Sequence, residues 1–225
     1  MLLAAEVQAE DVQTQLAHQV LVEVLGRAFD GVLGCDYFSA YRKYMDDFGV
    51  LVQFCLAHLI RDVKFLLTLP DPVTRRYAER LLDALRRLFG VIHRRDRMTP
   101  ARFQRALARA RKKVLKVGRR APDRTEARNL AERFRRHGAA YFRFITTPGL
   151  EPTNNLAEQA IRFVVIDRRI TQGTRGQTGR QWNERIWTAM ATLTQQGRSI
   201  LPYLRDAIDA WLRHQPAPTL FPTGP

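Results

Sequence analysis

Residues 31–55 read Gly31-Val32-Leu33-Gly34-Cys35-Asp36, then Tyr37-Phe38-Ser39-Ala40-Tyr41-Arg42-Lys43-Tyr44-Met45-Asp46-Asp47-Phe48-Gly49, then Val50-Leu51-Val52-Gln53-Phe54-Cys55. Two short apolar, β-capable runs flank a brief helical stretch whose N-cap is expected at Ser39. Strand, helix and strand in so few residues predict a βαβ unit with a parallel pair, because parallel strands need a crossover. Asp36 then stands at the carboxyl end of the first strand, where open α/β sheets place their ligands. Aspartate leaving a strand is equally an Asx-turn residue. Position alone does not separate the two uses.

Outward from this unit the chain reads as helix. Residues 15–25 form a short helix before the first strand. Residues 57–69 and 73–93 form two more, separated by Pro70 and Pro72. Thr99 and Pro100 are the N-cap and first position of the next, closed by Gly118. A further helix starts at Asp123 or Thr125 and runs to about residue 145, bent at Gly138. Residues 182–196 and 200–213 are a final pair broken at Gly197, and residues 215–225, with four prolines, are expected to be a disordered tail. The organisation expected is an α/β core at 15–56, a basic helical insertion at 57–147, C-terminal helices at 148–214, and the tail at 215–225. No internal repeat is present.

Charge singles out the insertion. The chain carries 37 Lys+Arg against 22 Asp+Glu, a net of +15. Residues 1–74 hold 5 basic and 10 acidic side chains, whereas residues 75–120 hold 17 and 3. Arg109, Arg111, Lys112, Lys113 and Lys116 have few acids at helical spacing to pair with. A concentrated basic face of this kind points to a polyanion, nucleic acid first; the plain alternative is a solvated helix surface. No run of 18 apolar residues occurs, so neither a membrane span nor export is expected. Cys35 and Cys55 give no disulfide framework, and a reducing cytoplasm is the expected compartment.

The second chemical motif is Glu151-Pro152-Thr153-Asn154-Asn155-Leu156-Ala157-Glu158-Gln159-Ala160-Ile161-Arg162. Capping residues run directly into an apolar helical pattern, so Glu158 falls in the first turns of a helix with a sharply defined start. A carboxylate held there suits a metal, or an i,i+4 pair with Arg162. Asn154 and Asn155 are caps first, with support of Glu158 as the functional alternative. Cys55-Leu56-Ala57-His58 is a Cys-x-x-His pair after a strand. Zinc requires about four ligands, so no structural zinc is expected, and His58 is read as a hydrogen-bonding residue. Arg168, Arg169, Arg175 and Arg180 surround a glycine-bearing loop, Gly173-Thr174-Arg175-Gly176-Gln177-Thr178-Gly179, suited to DNA phosphates or simply flexible. Trp182 and Trp187 lie in a helical pattern, where core packing is expected ahead of base stacking.

The wording PTNNLAEQAIR followed by FVVIDRRITQGTRG, with GVLGCDYFSAYRKY and VQFCLAHLIRDVKFL upstream in the same order, resembles the insertion sequence 66 family of bacterial transposases over roughly residues 21–212. The resemblance implies a DDE transposase: a ribonuclease-H-like α/β domain, here partial and predominantly helical because of a large all-helical insertion. Three carboxylates would hold two Mg²⁺ ions, with Mn²⁺ as substitute. By motif match Asp36 is the second and Glu158 the third, with Cys55 and His58 bracing the site. The first is expected upstream on the opening strand, so this chain is expected to be a truncated catalytic domain, inactive alone, with an unpaired sheet edge.

The activity so implied is DNA transposition by strand cleavage and transfer. The partners are transposon ends and target DNA at the nucleoid, with a homo-oligomer or a full-length transposase as protein partner. Two divalent ions activate the nucleophile and stabilise the leaving oxygen of a phosphodiester, and hard carboxylate oxygens are the ligands Mg²⁺ accepts. Two other readings stay open: a non-catalytic DNA-binding remnant, and an unrelated basic helical nucleic-acid-binding protein. The latter predicts no divalent-metal site.

Overall fold

In the computed structural model, residues 2–221 are described, with side chains from Val12 onward. The order is α1 (Leu2–Leu25), β1 (Val32–Cys35), α2 (Ser39–Phe48), β2 (Leu51–Phe54), α3 (Leu56–Thr68), α4 (Pro72–Ile92), α5 (Pro100–Gly118), α6 (Thr125–His137), α7 (Asn155–Thr171), α8 (Gln177–Gln195) and α9 (Ile200–Leu212). Short 3-10 turns lie at Arg95–Arg97, Gly138–Tyr141 and Arg143–Ile145. The chain forms two compact units, Met1–Asn155 and Leu156–Pro225. The expected core and insertion therefore share one unit.

The βαβ reading holds. β1 and β2 pair in parallel, with Val32 opposite Leu51 and Cys35 opposite Phe54, and they are the whole sheet among the described residues. The architecture is thus predominantly helical. Strand β2 is braced away from β1 as well. The Val52 carbonyl accepts from Arg143 Nε at 3.0 Å. Buried Gln53 donates through Nε2 to the Tyr141 carbonyl at 3.1 Å and accepts the Phe144 N–H at 3.0 Å. One edge group of β2, the Val52 carbonyl, is thus satisfied from within the chain.

Four local expectations change. The short helix expected at residues 15–25 is the last part of α1, which starts at Leu2. Ser39 is the first residue of α2, not its cap; the N-cap position belongs to Phe38, which makes no side-chain cap bond. The Ser39 hydroxyl instead meets Thr14 Oγ1 of α1 at 2.5 Å. The helix expected to run to residue 145 ends at His137, and 3-10 turns continue from Gly138. Gly118 does end α5, yet the following residue stays right-handed, so no left-handed cap is involved. Glycine is needed there for space: a Cβ would lie 2.5 Å from Phe134 Cδ2. The Gly118 carbonyl also accepts the buried Tyr77 hydroxyl at 2.7 Å.

Helix α4 shows how local chemistry and packing combine. Asp71 caps it by accepting the Thr74 N–H at 2.9 Å and the Thr74 hydroxyl at 2.6 Å, with Pro72 at the first position. Those bonds hold the Asp71 carboxyl below its ordinary range. Leu81, Leu85 and Leu88 recur at helical spacing and are fully buried; each contributes about 1.5–3 kcal/mol relative to exposure. The core runs from Phe54 through α3 and α4 to Leu107, Val114 and Phe134.

In the second unit, Phe163 and Trp187 pack with ring centroids 4.6 Å apart, which is packing and not an open stacking platform for Trp187. Trp182 of α8 is 57% exposed, so it is not a core residue as expected. The glycine-bearing loop is short. Gln172 and Gly173 are left-handed, but α8 starts at Gln177, so Thr178 and Gly179 are helical. Of the expected tail, residues 215–221 contain neither helix nor strand, and residues 222–225 lie outside the described residues. The tail is tied down at Leu220, whose carbonyl accepts from Gln196 Nε2 at 3.0 Å.

Candidate functional site

The candidate site is built at the carboxyl ends of the two strands. Asp36 leaves β1 half-buried, and its Oδ1 accepts the Phe38 N–H at 3.0 Å. That is the Asx-turn reading in geometric form, and it also fixes the carboxylate's direction. Beside it, burial above all, then the Asp36 charge and Cys55, push the Cys35 thiol far above its ordinary range. Burial and then Asp36 raise Tyr41. Both groups therefore stay protonated and neutral next to the carboxylate. Neither competes with it as an anion.

Cys55 follows β2, and its N–H donates to the Cys35 carbonyl at 2.7 Å, which joins the two strand ends. The segment leading to α7 docks on this turn. The Leu56 N–H donates to the Pro152 carbonyl at 3.0 Å, and the Asn154 N–H meets Cys55 Sγ at 3.5 Å. Residues about 99 apart in sequence thus meet at the sheet's carboxyl end. Asn154 stands immediately before α7, and its Oδ1 is buried with no hydrogen-bond partner among the described residues. Asn155 is the first residue of α7 and Glu158 lies in its first turn, as expected.

The expected metal ligands thus stand on different units, Asp36 on the first and Glu158 on the second. Among the described residues, no three His, Cys, Asp or Glu side chains converge as a metal cluster. The donor chemistry of the strand-end site still suits a hard cation. A half-buried carboxylate and an orphaned amide oxygen are oxygen ligands of the type Mg²⁺ takes, with water completing its shell.

Part of the basic insertion forms a stripe on α5. Arg102, Arg105, Arg109, Lys112, Lys113 and Lys116 are exposed on one face of α5, opposite buried Leu107, Val114 and Gly118. None of the six enters an ion pair among the described residues. Arg111 differs from its neighbours: it is half-buried, with its guanidinium 5.9 Å from the Phe142 ring centroid. Arg168 and Arg169 are in the last turn of α7 and Arg175 in the short loop, while Arg180 pairs with Glu184 at 3.5 Å.

A second feature beside Asp36 has no local sequence signature. Tyr37 packs edge-on to Phe54 with centroids 4.9 Å apart, and its hydroxyl lies 2.8 Å from His137 Nδ1. Arg42 and Arg133 place their guanidinium groups 4.7 and 4.6 Å from the same ring centroid. The only hint in the sequence is the spacing of Arg133, Arg136 and His137 along one helix.

His137 supplies a stability prediction. Burial, with Arg42 and Arg136 nearby, lowers its pKa below the ordinary 6.5, while Asp46 and Glu132 act the other way. A depressed folded pKa stabilises the fold above the unfolded value, and that contribution is lost as pH falls through the folded pKa. Urea midpoints are expected to drop between about pH 7.5 and about pH 5, and to drop less in His137→Asn. Equal drops in the two proteins would remove His137 from the account.

No helix among the described residues is long and apolar enough to cross a membrane. Neither the curated proteins nor the solved structures give a match to the chain. Among protein families, residues 7–182 match the Transposase IS66 family. That span holds Asp36, the docked Pro152–Asn154 segment, the α5 stripe and Glu158, well over half of the sequence. The chain belongs to the IS66 family of transposases.

Proposed function

We propose that this protein acts on DNA in transposition, gripping duplex phosphates with the basic stripe of α5 and supplying Asp36 and Glu158 to metal-dependent strand cleavage and transfer on a ribonuclease-H-like core. The unpaired cationic stripe carries the DNA half of this reading. Six cations on one helix face, with no ion-pair partner among the described residues, concentrate positive potential that favours a polyanion. Family membership supports the catalytic half. So does the position of Asp36 at the carboxyl end of a parallel strand.

Asp36 and Glu158 would hold Mg²⁺ or Mn²⁺, and such ions activate the attacking oxygen and stabilise the leaving one. The remaining residues orient. Phe38 aims Asp36 through its backbone N–H. Cys55 and Leu56 hold the segment that leads into α7. His58 belongs to this bracing group, at the start of α3.

The test is paramagnetic. Two carboxylates bind a divalent ion weakly because it keeps much of its water. Mn²⁺ is expected to broaden amide signals near both Asp36 and Glu158. Asp36→Asn should abolish the effect at both, since asparagine retains the Oδ1 acceptor for Phe38 but loses the charge. Broadening at neither residue, or broadening unchanged in Asp36→Asn, would sink the shared metal site. The non-catalytic alternative keeps DNA binding in that event.

A further inference from the structure

We propose that the pocket between the start of α2 and the last turns of α6 is a phosphate site that holds a backbone phosphodiester of DNA beside Asp36. The inference rests on the DNA-acting reading above and adds a second contact, remote in sequence from the α5 stripe. The pocket has a volume of about 400 Å³, and Tyr37, Ser39, Arg42, Arg133 and Arg136 are among its walls. Such a space accommodates a phosphate with its attached sugar.

Its charge is one-sided. Glu132, the acid in the wall, is paired with Arg135 at 3.3 Å, and Arg133 is paired with Asp62 at 2.6 Å. Arg42 and Arg136 have no ion-pair partner among the described residues. Arg42 Nε is in addition buried without a hydrogen-bond acceptor. A buried N–H on a charged group is costly when left unmade, so an acceptor brought to Arg42 is favoured. The first turn of α2 borders the same space, with no side-chain cap on its N–H groups. An anion there completes what the sequence leaves open.

Rigidity favours recognition of an oxyanion by a planar fork of donors. Stacking over Tyr37 fixes the Arg42 and Arg133 guanidinium groups, whose N–H edges suit phosphate oxygens. The same stacking argues against a nucleobase as occupant. Arg42, Arg133, Phe54 and Tyr141 all pack around the Tyr37 ring, which leaves that ring no open face for a base. The pocket therefore reads phosphate and not sequence, a positioning contact. Asp36 is connected to it through Phe38, whose N–H the carboxylate holds. A phosphate seated here would register the strand against the candidate catalytic carboxylate.

The experiment measures affinity for a labelled duplex by fluorescence anisotropy across salt concentrations. It compares wild type, Arg136→Gln, Arg42→Gln/Arg136→Gln and Arg42→Lys/Arg136→Lys. Loss of one phosphate contact lowers the log–log slope by about 0.9, so the double glutamine variant should show that decrease. Arg136→Gln, an exposed change with no packing role, should show part of it. The double lysine variant should recover the slope but bind less tightly, because it lacks the fork. Inorganic phosphate should shift the Phe38 and Ser39 amide signals in wild type and not in the double glutamine variant. Wild-type slope and affinity in Arg42→Gln/Arg136→Gln, with the slope lowered by Lys112→Ala/Lys113→Ala, would overturn the pocket alone. No change from either pair would overturn the DNA reading itself. A free nucleoside triphosphate that displaces duplex from wild type but not from the double glutamine variant, at concentrations where inorganic phosphate does not, would make this a nucleotide site and overturn the backbone assignment.

Discussion

Replacing Gln53 with leucine is expected to lower the unfolding free energy by about 2–4 kcal/mol, because a buried carbonyl and a half-buried N–H lose their partners at once. Gln53 is 1% exposed and sits on β2. Its amide donates to the Tyr141 carbonyl and accepts the Phe144 N–H, bonds that span 88 and 91 residues. Leucine fills similar volume and satisfies neither group. For a chain of this size the thermal midpoint should fall by about 2–4 °C per kcal/mol. Gln53→Glu should be worse at neutral pH, since a carboxylate cannot donate to Tyr141 and would be buried without a counter-ion. Urea and thermal unfolding of the three proteins decide it. A loss below about 0.5 kcal/mol for Gln53→Leu, the range of neutral surface changes, would show that the 3-10 turns do not depend on this side chain.

The second large effect is on DNA affinity. With Lys112 and Lys113 both changed to alanine, the slope of log affinity against log salt should fall by roughly 2, as each lost phosphate contact removes about 0.9. The advantage of wild type would then shrink about tenfold for a fourfold rise in salt. Both lysines are exposed on α5 and outside any ion pair among the described residues, so the change should leave the fold intact. Arg111→Ala provides the contrast. Its guanidinium lies over Phe142 and is half-buried, so that change should cost packing and leave the slope nearly unaltered. A Lys112→Ala/Lys113→Ala protein with the wild-type slope would mean that the stripe faces away from DNA.

Local pattern was enough to read much of this chain. The parallel βαβ unit followed from two β-capable runs around a short helical stretch, and β1, α2 and β2 lie where those runs predict. Helix α5 begins at Pro100, as Thr99-Pro100 indicates. These features depend on neighbours three or four residues away, or on φ at one position, and such information is written in the order of residues. The charge excess is also additive, so its segment was evident before its face was known.

What the order of residues leaves undetermined is who meets whom across the core. Gly118 is glycine because Phe134 packs on it, not because of the helix end. Ser39 serves α1 in place of capping α2. Gln53, Tyr37 and Cys55 gain their roles from partners 88 to 100 residues away. The phosphate pocket exists only because α6 places Arg133 and Arg136 against the start of α2. Hydrophobic packing is non-directional and leaves no periodic trace of its partner. Close packing and the need to satisfy every buried polar group then select one arrangement among many with the same pattern.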